Sequence, residues 1–116
     1  MRPDSRELAA AVSEGLRLQG RTVWNIGQVT SDMIYFAVGH WDIAGGAVIT
    51  ASHNPGEYNG IKIYRDKVTP VGLESGLDEI RDKAEANNFV PAAKKAPEEE
   101  KNITDAWVKH ALSFVD

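Results

Sequence analysis

Five side chains capable of chemistry fall between residues 52 and 62: the Ser52 hydroxyl, the His53 imidazole, the carboxamides of Asn54 and Asn59, and the Lys62 ammonium. A serine followed directly by a histidine is not a nucleophile–base pair by adjacency. Neighbouring side chains generally point apart, so a general base has to come from elsewhere in space. The Gly-x-Ser-x-Gly elbow of hydrolases is also missing, because Ser52 lies between Ala51 and His53. A serine hydrolase is therefore the weaker chemistry for this loop. Without further signal, the ordinary readings are a turn serine, a histidine that hydrogen-bonds its own turn and an exposed strand lysine.

The elements around the loop can hold it. Residues 47–50, after two glycines, and residues 61–64 are short β-branched apolar runs that read as buried strands. Between them, Pro55-Gly56 and Asn59-Gly60 are turn dipeptides that fix a bend. Such a loop between two strands is a common place for a rigid scaffold to present chemistry.

Residues 1–20 read as a helix, with Asp4 and Glu7 as a capping box and Leu8, Ala11, Val12, Gly15 and Leu16 on one core face. Residues 22–26 read as a strand. A second helix is capped by Thr30 or Ser31, packs Ile34, Ala37, Val38 and Trp41, and leaves His40 solvated. After the loop, residues 65–67 turn the chain and 68–70 run extended. A third helix over 72–85 then buries Leu73, Leu77, Ile80 and Ala84. Residues 87–101 read as a flexible connector, in which Glu98-Glu99-Glu100 is a solvated charge run rather than a cation site. A last helix spans 103–116, with Trp107, Val108, Ala111, Leu112 and Val115 apolar. Helices alternating with strands predict an α/β layered sheet.

Composition limits the function classes. A chain of 116 residues, 42% hydrophobic with net charge −4, fits one soluble domain. No basic cluster exceeds Lys94-Lys95, which argues against a nucleic-acid partner. The absence of cysteine excludes disulfides and thiolate metal sites. No apolar stretch approaches a membrane span, so the cytoplasm is the default location.

The run Thr50-Ala51-Ser52-His53-Asn54-Pro55, followed by Asn59-Gly60-Ile61-Lys62, resembles the phosphoserine signature of the alpha-D-phosphohexomutases. Glu57-Tyr58 between the two motifs is more similar to the phosphomannomutase/phosphoglucomutase branch than to the phosphoglucosamine mutase branch. The resemblance implies a three-layer α/β/α domain with a small mixed sheet, truncated relative to the family's first domain. Residues 1–86 would be its partial core, 87–101 a connector, and 102–116 a terminal helix leading toward an absent second domain.

The resemblance also implies that Ser52 carries a phosphate exchanged with a hexose phosphate through a bisphosphate, with His53 and Lys62 assisting. Asn54 and Asn59 would shape the loop. Arg2 matches the last arginine of Gly-Arg-Asp-x-Arg, at the chain's apparent start. Magnesium in the family bridges the phosphoserine and aspartates of a second domain, so this chain would offer it only the phosphate on Ser52. With the family's metal-binding and sugar-reading loops outside the sequence, the chain alone is expected to bind no magnesium and to be inactive. It would rely on the remaining mutase domains and could self-associate through an exposed sheet edge or by exchanging its last helix. The alternative is a non-catalytic binding or regulatory module that retains the fold.

Overall fold

The computed structural model describes residues 2–116. Helices and strands follow in the order α1 (Ser5–Leu18), β1 (Val23–Asn25), α2 (Ser31–His40), β2 (Gly45–Ile49), β3 (Ile61–Arg65), β4 (Thr69–Pro70), α3 (Leu77–Ala86), β5 (Glu98–Glu100) and α4 (Thr104–Leu112). The α/β class read from the sequence holds. The strands, however, form two small sheets rather than one mixed sheet. β1 pairs parallel with β5, whereas β2, β3 and β4 form an antiparallel meander.

Between β1 and β2 lies a cleft of about 2630 Å³, bordered by α1 and lined in part by Val12, Leu16, Val23, Ile43, Ala47 and Ile49. The radius of gyration, 15.2 Å, accordingly exceeds the roughly 13 Å of a close-packed domain of this length. The cleft also explains why α1 does not bury its expected stripe. Leu16 is 43% exposed, and the buried positions of the helix are Ser5 and Ser13. The expected capping box is absent as well: Asp4 occupies the N-cap without a side-chain bond.

α2 joins the two halves because it is apolar on two sides. Toward the meander, Ile34 and Val38 lie so close to β2 that a Cβ at Gly46 would come within 2.8 Å of Val38 Cγ2 and 3.3 Å of Ile34 Cγ2. Glycine is what lets strand and helix approach. On the other side, Met33 and Ala37 pack with Ile103, ringed by Ile26, Val29, Phe36, Trp41, Ala106 and Trp107. Ile103 keeps only 1% of its surface in water, and such burial stabilises by about 2–3 kcal/mol. Trp41 is thus a packing residue, set edge-on to Trp24 at 5.3 Å. His40 is exposed and stacks on Phe36 at 4.8 Å.

The third helix departs from its expected form. Leu73–Ser75 makes a 3₁₀ turn, Gly76 breaks the helix at φ 131°, and α3 ends on Asn87 in the left-handed region at φ 46°. Leu73 and Ile80 are exposed, so the expected buried stripe is not covered.

The expected connector contains a strand. The carboxylates of residues 98–100 are exposed, but their backbone pairs with β1 in the register Val23↔Glu98 to Asn25↔Glu100. Side-chain contacts anchor it: Arg17 Nε donates to the Ala96 carbonyl at 3.0 Å, the Ser13 hydroxyl donates to Glu98, and Asn25 Nδ2 donates to Glu98 at 3.1 Å. The Ser13 hydroxyl, then Asn25, and more weakly the Arg17 charge hold the Glu98 carboxyl below its ordinary 4.5, against the opposing effect of burial.

A carboxylate whose folded pKa is depressed contributes stability above its unfolded value, lost as pH falls through the folded one. Hydrogen exchange should therefore show the Val23 and Lys101 amides, which donate to Pro97 and Asn25 carbonyls, losing protection below about pH 4.5. Glu98→Gln should weaken protection at neutral pH and flatten its acid dependence. An unchanged profile in that variant would detach Glu98 from the docking of β5.

Among the described residues no helix is long and apolar enough to cross a membrane.

Candidate active-site loop

The loop of residues 50–60 closes the β2–β3 hairpin. Register runs from Gly45↔Arg65 to Ile49↔Ile61 and is extended by the Thr50 amide, which donates to the Gly60 carbonyl at 2.8 Å. A Cβ at Gly60 would sit 2.9 Å from the Thr50 carbonyl oxygen, so the base of the loop closes only over a residue without a side chain. The expected strands are present, although half-buried rather than fully buried.

Ser52 stands at the start of the turn, exposed, with φ 53°. Left-handed backbone is unfavourable for an L-residue by roughly 1–2 kcal/mol, and persists where its surroundings over-determine it. Here the Ser52 amide donates to Thr50 Oγ1 at 3.0 Å. The Asn54 amide and side-chain Nδ2 both donate to the Ala51 carbonyl, at 3.1 and 2.8 Å. The Tyr58 amide donates to the Pro55 carbonyl at 3.0 Å. Asn59 Nδ2 donates to Ser5 Oγ at 3.1 Å, tying the far side of the loop to the first turn of α1. Asn54 and Asn59 therefore occupy loop-shaping positions.

Arg2 makes the largest set of contacts. One terminal nitrogen donates to the carbonyls of Pro55 (2.6 Å) and Tyr58 (2.9 Å), the other to those of Ser52 (3.0 Å) and Asn54 (2.8 Å). A guanidinium is suited to this because its donors lie in one plane at fixed angles. The contacts also bring a positive charge to the backbone of Ser52, where it would favour an anionic group.

The hairpin register places Lys62 opposite Val48, half-buried and on the same face as Tyr64. Tyr64 donates to the Tyr35 hydroxyl at 2.9 Å; burial first, then that hydroxyl, push its pKa up to about 12, so it is neutral in the physiological range. His53 is exposed beside Ser52. Among the described residues, hydrogen bonds gather Arg2, Ser52, Asn54 and Asn59, and no hydrogen bond or ion pair joins His53 or Lys62 to Ser52. Ser5, the acceptor that fixes Asn59, carried no sequence signal beyond being a hydroxyl, whereas Thr50, which accepts from the Ser52 amide, opens the motif run.

Among the described residues no three acidic or imidazole side chains cluster as metal ligands.

Residues 1–91 match the family model described as phosphoglucomutase/phosphomannomutase, alpha/beta/alpha domain I. The chain is 39% identical over 112 residues, 97% of its length, to a protein named phosphohexose mutases from Xanthomonas campestris pv. campestris. It is 36% identical over 118 residues to a phosphomannomutase of Escherichia coli K12, and 35% identical over 115 residues to one of Vibrio cholerae. These alignments cover 100% and 99% of the chain, respectively. The chain spans about a quarter of the length of these relatives, 25%, 26% and 25% in turn.

Proposed function

Since the chain belongs to the phosphoglucomutase/phosphomannomutase family through its alpha/beta/alpha domain I, we propose that it is the phosphoserine-bearing domain of a mutase interconverting hexose 1-phosphate and hexose 6-phosphate. The observation that carries this reading is Ser52: an exposed hydroxyl in left-handed backbone, at the head of a loop held by hydrogen bonds from both ends. In the forward step the Ser52 Oγ–phosphorus bond breaks as a hexose hydroxyl forms its own bond to phosphorus and gives up its proton. In the return step the phosphate at the other position of the hexose bisphosphate passes to Oγ, and the departing hexose oxygen takes the proton. His53 or Lys62 is suited to hold that proton, and Lys62 to neutralise charge on the transferring group.

The substrate contacts and the ligands for magnesium would come largely from the remaining domains, with this chain offering the cation a phosphate oxygen on Ser52. The chain alone would then be inactive. The test is incubation with a hexose 1,6-bisphosphate and the downstream domains, followed by peptide mapping. Phosphate on Ser52 supports the reading, and phosphate only on another residue overturns it.

The edges of β1 and β2 along the cleft have no strand partner among the described residues. Unpaired edges beside apolar surface favour pairing with a second copy. Light scattering at micromolar concentration should report a dimer, and a monomer throughout that range would contradict edge pairing.

A further inference from the structure

We propose that Arg2 is a positioning residue for phosphoryl transfer: its guanidinium gathers the carbonyls of Ser52, Asn54, Pro55 and Tyr58 onto one side of the loop, and so holds Ser52 in its left-handed conformation. The inference rests on Ser52 being the phosphoacceptor. All four contacts lie between 2.6 and 3.0 Å, two on each terminal nitrogen, which accounts for the four N–H hydrogens those atoms carry. Four carbonyl dipoles converging on one point repel unless a cation lies between them. An ammonium, with three donors and no planar fork, cannot replace all four bonds.

The clamp has a second consequence. Across a trans peptide the carbonyl of one residue and the amide of the next point in opposite directions. Drawing the Ser52 and Pro55 carbonyls toward Arg2 therefore turns the His53 and Gly56 amides away from it. Among the described residues neither amide donates a hydrogen bond. One side of the loop is thus saturated by a cation, while the other keeps free N–H groups of the kind that receive anionic oxygens. Arg2 reaches this chemistry through the backbone.

The experiment compares the chain with Arg2→Ala and Arg2→Lys by NMR. The readout is the short amide–Hα distance within Ser52 that marks a positive φ, with the amides of Val38 and Ile103 reporting whether the core is intact. In parallel, the rate of Ser52 labelling by hexose 1,6-bisphosphate is followed with the downstream domains present. Both variants should lose the positive-φ signature with an unchanged core and label about 100-fold more slowly, the scale of a 1 Å misplacement. Free guanidinium should restore the signature and the rate in Arg2→Ala, whereas methylammonium should restore neither.

If Arg2→Ala keeps both the signature and the rate, or Arg2→Lys behaves as the parent, the inference is overturned. Should Arg2→Ala lose its core, Arg2→Lys decides alone. A parent that never labels while its Ser52 signature still depends on guanidinium refutes the phosphoacceptor reading and leaves the clamp standing. Labelling indifferent to Arg2 does the reverse.

Discussion

Ser52→Ala should abolish hexose bisphosphate-dependent phosphate incorporation, not merely slow it, while leaving the fold in place. The hydroxyl is exposed and, among the described residues, enters no hydrogen bond, so its removal breaks no contact. Alanine at φ 53° meets the same left-handed penalty as serine, so the loop keeps its strain and its shape. Stability should therefore change by about 0.5 kcal/mol or less. Ser52→Gly makes the complementary case: it also lacks an acceptor oxygen, yet relieves backbone strain, and should match or exceed the parent in thermal stability. Loss of label in both variants, with melting temperatures at or above the parent's, isolates the oxygen itself. Incorporation that survives in Ser52→Ala removes Ser52 from the chemistry.

The second large effect is expected at Lys62. Under the proposed mutase reading, Lys62→Met in a full-length parent should cost about 2–4 kcal/mol of transition-state stabilisation, the scale of one preorganised charge donor. That is a fall of roughly 30- to 1000-fold in turnover. The register sets how Lys62 can act. It lies opposite Val48, four residues before Ser52, and among the described residues holds no ion pair that would fix its ammonium elsewhere. Its expected target is the phosphoryl group rather than the serine hydroxyl. Arginine at this position would keep the charge and should recover part of the rate. A turnover number unchanged in Lys62→Met would leave the lysine as an ordinary strand residue.

The loop was legible in the sequence because its signals are local. Two β-branched runs and two turn dipeptides fix a hairpin whatever lies around it, and β2, β3 and the bend fell where those residues placed them. α2 was legible for the same reason, its stripe of Ile34, Ala37 and Val38 being buried as the spacing implied. What the pattern could not supply was the partner of each apolar face. Leu16, Leu73 and Ile80 were expected on buried helix faces but remain exposed. Spacing reports what a helix could bury; only the tertiary arrangement decides what it does bury.

β5 escaped notice for the opposite reason. Three consecutive glutamates have low strand propensity, yet their backbone is held beside β1 by Ser13, Asn25 and Arg17, all distant in sequence. The grip of Arg2 on the loop is likewise non-local, reaching more than fifty residues along the chain. A motif could mark Arg2 as loop-shaping, but only the folded loop brings four carbonyls to its guanidinium.

The most direct measurement is intact mass with phosphopeptide mapping of the chain purified from cells. The phosphoserine reading predicts one added phosphate, located on Ser52, and its absence from Ser52→Ala purified in the same way. Phosphate confined to any other residue, or none even after exposure to a hexose bisphosphate with the downstream domains present, would contradict it.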